Sequence, residues 1–198
     1  MQLLASYNGA CATLVGGIQI MILALSGRRI DAADTEQARF PLPNVERVTA
    51  SVRTLLIGAG ATWLVSSAAC GADLIALAEA GKLGIRRRVV LPFSREKFRE
   101  SSVVDRPGDW GELYDEVMAE LAQTGDVEIV NVADGEDPFR AACREILAEA
   151  AAIGKERHQD VGAVMVWDGN VRETPDYTSE FAAEAKTRGI PVFEIRTM

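Results

Sequence analysis

The residues most able to do chemistry lie between Val65 and Asp73, which read Val-Ser-Ser-Ala-Ala-Cys-Gly-Ala-Asp. An apolar run ends there, small residues turn the chain, and an Ala/Leu-rich helix begins. The first N–H groups of a helix lack backbone partners and sit at the positive end of its dipole, so such a turn can hold a phosphate without a basic side chain. Small residues let a ligand approach the backbone, and Ser66 and Ser67 can add hydroxyl donors. The plainer alternative is a tight strand-to-helix turn in which Asp73 helps to cap the helix. A second cluster, Ser26-Gly27-Arg28-Arg29, follows the apolar run Ile20 to Leu25. Arg28 can grip a phosphate through two parallel N–H donors, and its plainer alternative is a solvated turn.

These residues need elements to position them. Ile20 to Leu25 is a continuous apolar run, as in a strand covered on both faces, and the buried strand is expected from Ile18. Val45, Val48, Val52, Leu55 and Leu56 recur at helical spacing, with Asn44 as N-cap and Gly58 and Gly60 as stops. Thr62 to Val65, Arg88 to Leu91, Val127 to Val132, Val161 to Trp167 and Pro191 to Ile195 read as strands. Between them fall a helix from Asp73 to about Ala80, one marked by Trp110, Leu113, Val117 and Leu121, one from Pro138 through Ile153, and one from Thr178 to Arg188. Ser94 to Pro107 reads as a short helix and loop. This alternation predicts an α/β fold, a Rossmann-like three-layer α/β/α sandwich with a mainly parallel sheet of five to six strands. The irregular stretch Gly27 to Pro43 follows the first strand, at the carboxyl edge where such folds meet ligands. Residues 1–17 are expected to be a lead-in and 18–198 one domain.

Composition narrows the function. The chain has 198 residues, 48% hydrophobic and 25% charged, with a net charge of −8. These are ordinary values for a globular domain, and the acidity argues against nucleic-acid binding over a broad basic face. The one basic run, Arg86-Arg87-Arg88, enters a strand at the end away from the expected site. Met1 to Gly27 holds no charge, but Gln2, Asn8, Gly16, Gly17 and Gln19 interrupt it and no Lys or Arg precedes it, so neither a membrane span nor an export signal is expected. Three cysteines without ligand-like spacing and one histidine argue against zinc and against a disulfide framework, and a cytoplasmic location follows by default. No metal or cofactor is expected, and no Gly-x-x-x-x-Gly-Lys-Ser/Thr loop is present. Trp63, Trp110 and Trp167 read as core or rim residues, Cys70 as a packed small residue and His158 as a surface residue.

Ser66 to Asp73 resembles the Ser-Gly-Gly-Ala-x-Gly-Ile-Asp motif of the DprA proteins, with Ser66, Ala69, Gly71 and Asp73 matching and Ser67 and Ala68 replacing glycines. With Leu25-Ser26-Gly27-Arg28 and Val90-Leu91-Pro92-Phe93, the chain is similar to the SLOG superfamily, which unites DprA with the LOG nucleotide hydrolases. Arg39-Phe40-Pro41, Phe98 and Ser102-Val103 bring it nearer a bacterial subgroup often joined to tetratricopeptide or cyclase-like modules. The resemblance spans about Ile20 to Ile195. It implies a nucleotide or nucleotide-derived ligand at the carboxyl edge, met by Ser26, Gly27, Arg28, Ser66, Ser67, Gly71, Asp73, Pro92, Asp168, Gly169 and Thr178. It also implies a possible homodimer. The chain departs from the LOG pattern: Asp168-Gly169-Asn170-Val171-Arg172-Glu173-Thr174 stands where those enzymes carry Pro-Gly-Gly-x-Gly-Thr-x-x-Glu. Cleavage of an N-glycosidic bond needs a carboxylate at the ribose. Asp73, Asp168, Asp176 and Glu180 qualify by loop position only, Asp168 and Glu180 being the catalytic candidates. Three readings follow: a sensory or ligand-binding domain, which leads; a nucleotide N-glycosidase or phosphoribohydrolase; and an interaction module with a vestigial pocket.

Overall fold

The computed structural model describes residues 20–173 and 175–198, so the expected lead-in and the first two residues of the expected first strand lie outside it. Six parallel strands form one sheet in the order β4-β3-β2-β1-β5-β6. They are β1 (Met21–Gly27), β2 (Ala61–Ser66), β3 (Arg86–Leu91), β4 (Val127–Ile129), β5 (Asp160–Trp167) and β6 (Val192–Arg196). The helices are α1 (Val45–Gly58), α2 (Ala72–Lys82), α3 (Arg95–Ser102), α4 (Trp110–Thr124), α5 (Pro138–Arg157) and α6 (Tyr177–Thr187). The α/β Rossmann-like fold expected from the alternating pattern is the fold observed.

The apolar run of β1 divides by the two-residue period of a strand. Met21, Leu23 and Leu25 enter one core with Val48 and Leu56 of α1, Leu74 and Leu77 of α2, and Val117 and Leu121 of α4. Ile22 and Ala24 enter the other with Ile146 and Leu147 of α5 and Phe181 and Ala185 of α6. A strand buried on both faces has no room for a charge, which explains the charge-free run over its length. Trp63 and Trp110 are buried, as expected, and Arg86 stacks 4.3 Å from the Trp63 ring centre.

Local details depart from expectation. Asn44 precedes α1 but makes no side-chain cap; its amide donates instead to Thr197 O at 2.8 Å, tying the helix start to the chain end. β4, expected to run to Val132, stops at Ile129 and pairs with β3 at one edge of the sheet. Arg86, Arg87 and Arg88 pair with Asp126, Glu120 and Glu149. Among the described residues no helix is long and apolar enough to cross a membrane.

The chain builds outward from β1 to β4, then crosses to β5 on the other side of β1. The order therefore reverses between β1 and β5. At that point the flanking loops diverge and leave a crevice at the carboxyl ends of the strands.

Candidate functional site

A cavity of about 760 Å³ opens in this crevice, within the size range of small-molecule sites. Its walls differ in chemistry. Arg29, Arg39, Arg106 and Arg172 supply cations, while Phe98, Phe139 and Tyr177, with Ala142 and Ile146, supply an apolar and aromatic face. Phe139 and Tyr177 stand at the first turns of α5 and α6, with ring centres 5.4 Å apart. The Tyr177 hydroxyl donates to Asp137 Oδ2 at 2.9 Å, which fixes that ring.

Arg28 does not reach out as a free phosphate grip. It is 3% exposed and fully engaged. Its Nη1 and Nη2 donate to the two oxygens of Asp176 at 2.5 and 3.0 Å, its Nε to Asp168 Oδ1 at 3.0 Å, and Nη2 also to Asn170 O at 2.7 Å. Arg39 Nη1 meets the other Asp168 oxygen at 3.1 Å. This network clasps the loop between β5 and α6 to the end of β1. Burial acts to raise the Asp176 carboxyl, but Arg28 and the N–H groups of Arg172 and Ser179 outweigh it and hold the group well below the usual carboxylate range. Arg172, delivered by the clasped loop to the cavity rim, makes no side-chain ion pair with any described residue; desolvation and its neighbours Arg28 and Arg39 push its guanidinium down.

On the other side Arg29 pairs with Asp105 Oδ1, and Arg106 Nε lies 3.4 Å from Asp105 Oδ2. Two guanidiniums thus share one carboxylate. The Nε of Arg29 and the Nε of Arg106 are buried without hydrogen-bond partners.

The turn before α2 is not an open anion cradle. Gly71 has φ +95°, and a Cβ there would lie 2.9 Å from Arg28 O and from Ile30 N. The glycine is required because the chain's own β1 loop packs against it. Cys70 N and Ala72 N are taken by Ser102 O and Arg28 O, and the Ser66 hydroxyl donates to Leu25 O at 3.1 Å. Gly27 is likewise a packing glycine: its Cβ would fall 2.3 Å from Ala72 Cβ, although the residue also borders the cavity.

Of the residues expected at the ligand, the cavity is lined by Ser26, Gly27, Arg28, Ser67, Asp73, Pro92 and Thr178. Ser66 and Gly71 are turned into packing, Asp168 is bound by two arginines, and Gly169 sits against Arg196. Glu180 lies outside the lining, where both its oxygens pair with Arg140 at 2.6 and 2.9 Å. Arg106, Arg172, Phe139 and Tyr177 carry no motif. Arg39 and Phe98 lie in segments that bear the family resemblance, though not as site residues.

Asp73 lies at the floor in the first turn of α2. Its Oδ2 accepts from Ala69 N at 3.3 Å, while Oδ1 is buried without a partner. Burial pushes this carboxyl up to about 7, against the opposing pull of the Ala69 and Gly27 N–H groups, Arg29 and the Ser66 hydroxyl. Cys143 on α5 also lines the cavity, and its thiol is pushed up to about 12 by burial and then by Asp73. It is a packed thiol rather than a nucleophile.

The fold and crevice define a doubly wound α/β protein with an arginine-lined cavity at its strand switch. No protein-family model matches the chain, and neither does any curated protein. Among solved structures it is similar to DNA processing protein A (DprA) from Streptococcus pneumoniae, at 15% identity and a TM-score of 0.35, over 88% of this chain and 58% of that one. It is also similar to Streptococcus suis SuiB bound to S-adenosylmethionine, at 10% identity and a TM-score of 0.24, over 89% of this chain and 46% of that one. The chain thus spans about half the length of the structures it matches.

Proposed function

We propose that this chain binds a nucleotide or nucleotide-derived small molecule at the carboxyl edge of its sheet and acts as a sensory or ligand-binding domain. The observation that carries this reading is the split cavity. One wall presents Arg29, Arg39, Arg106 and Arg172, suited to a phosphate, and the other presents Phe139 and Tyr177, suited to a flat base. In a protein of net charge −8, gathering that many arginines around one cavity favours an anionic ligand. Binding without hydrolysis is favoured by the carboxylates: Asp168 and Asp176 are held by Arg28, and Glu180 lies outside the cavity.

The test is a panel of mononucleotides, cyclic nucleotides and ADP-ribose, read by thermal shift and by released base. Stabilisation by at least one member without base release is expected. Base release that Asp73→Asn abolishes would move the site to the nucleotide N-glycosidase reading. No stabilisation by any member would remove the ligand-binding reading in favour of an interaction module.

A further inference from the structure

Three carboxylates line the cavity: Asp31, Asp73 and Asp176. Arg28 holds both oxygens of Asp176, and the unpartnered oxygen of Asp73 is sealed in the interior. Asp31 differs from both. It follows the buried Ile30 and closes the neck of the loop 31–40. Its N–H donates to Phe40 O at 3.0 Å, and its Oδ2 accepts from Arg39 N at 2.9 Å and from Phe40 N at 3.0 Å. Phe40 is fully buried, which anchors the neck and holds the carboxylate in one orientation. Asp31 Oδ1 has no hydrogen-bond partner among the described residues. The residue is half-buried, and unlike Asp73 Oδ1 this oxygen is not sealed, so a ligand in the cavity can reach it.

A carboxylate among arginines can serve simply as their counter-charge. Asp31 does not: Arg29, two residues before it, pairs with Asp105, and Arg39, whose backbone N–H it accepts, pairs with Asp168. Neither guanidinium forms an ion pair with Asp31. What Oδ1 offers is a fixed acceptor that no protein donor meets. A phosphate cannot supply that donor, whereas a hydroxyl can. We propose that Asp31 Oδ1 accepts a hydrogen bond from a ribose hydroxyl of the ligand and so selects ribonucleotides over nucleotides that lack those hydroxyls. This rests on the nucleotide-binding reading of the cavity and adds the group that reads the sugar. The placement agrees with the two walls. A phosphate on Arg29 or Arg39 and a base on Phe139 and Tyr177 leave the sugar between them, and Asp31 lies on the same loop as both arginines. An anion made only of acceptors gains nothing from Asp31 and is repelled by its charge, so the contact discriminates by hydrogen-bond polarity.

The probes are the 5′-diphosphates of adenosine, guanosine, cytidine and uridine, their 2′,3′-dideoxy counterparts, and sulfate, each titrated by calorimetry at constant ionic strength. Asp31→Asn keeps one oxygen for the Arg39 and Phe40 N–H groups and replaces the other by an amide, so it removes the acceptor and leaves the loop neck. The wild-type protein should bind at least one ribonucleotide about tenfold more tightly than its dideoxy counterpart, the low end for a hydrogen bond to a charged acceptor. In Asp31→Asn that ratio should fall below about threefold, while sulfate binds equally well or more tightly because a negative charge is gone. A wild-type ratio below about threefold overturns the proposal, and a ratio near tenfold supports it, without need of the variant should Asp31→Asn not fold. A ribonucleotide preference that Asp31→Asn keeps at full size also overturns it, as does a variant that binds ribonucleotides and sulfate more tightly alike, the behaviour of a mere counter-charge. In each of these cases the nucleotide-binding reading stands. Sulfate binding without binding of any ribonucleotide overturns both, and so does binding of neither.

Discussion

Replacing Arg28 by alanine removes four hydrogen bonds and leaves two carboxylates, each no more than 5% exposed, without their main cation. Breaking a buried ion pair by deleting one partner costs about 3–5 kcal/mol, chiefly because the remaining charge stays buried. Arg39 still pairs with Asp168, and Asp176 keeps the Arg172 and Ser179 donors, which puts the loss near the lower end, about 3 kcal/mol. For a chain of this size that is a fall of about 6–12 °C in midpoint. Urea unfolding at pH 7 measures it. The pH dependence adds a check. Asp176 is held below its usual 3.8, so its contribution is present above that value and is lost as pH falls toward the lowered value. The gap between wild type and Arg28→Ala should therefore narrow as pH drops below about 4. A variant within 1 kcal/mol of wild type, a difference typical of surface positions, would refute the clasp. If ligand binding were also lost, Arg28 would be a ligand contact instead.

Other consequences follow from the same geometry. Gly27→Ala should destabilise by about 1–3 kcal/mol, the range for forcing a methyl into a packed interior, because its Cβ would collide with Ala72; chemical denaturation measures it. Gly71→Ala should cost about 1–3 kcal/mol by the same assay, since φ +95° and the Arg28 carbonyl both oppose a side chain. Phe139→Ala should weaken binding of base-containing ligands about three- to tenfold while leaving sulfate affinity unchanged, read by calorimetry. Glu180→Gln removes an exposed pair with Arg140 and should change stability by less than about 1 kcal/mol, with ligand affinity unaltered.

The sequence made legible whatever depends on near neighbours. Alternating periodicity marked the parallel sheet, and the uncharged run of β1 marked a strand buried on both faces. The glycine turn before α2 was visible as a turn, but its cause was not: Gly71 is small to admit the loop after β1, which only the fold brings beside it. Arg28 could be singled out, while its partners Asp168 and Asp176 lie 140 and 148 residues away and depend on β5 lying next to β1. Phe139 and Tyr177 read as ordinary first-turn residues until α5 and α6 set them side by side. Asp73 was legible as a cap or ligand contact, whereas its unpartnered oxygen is a property of packing alone.

The most direct measurement is where a bound nucleotide sits, from a crystal structure with the tightest binder of the panel. Its phosphate is expected within hydrogen-bond distance of Arg29, Arg106 or Arg172, with the base against Phe139 and Tyr177. A ligand seated instead in the shallow groove at the other end of the sheet, among Lys155, His158 and Arg188, would contradict the assignment of the site.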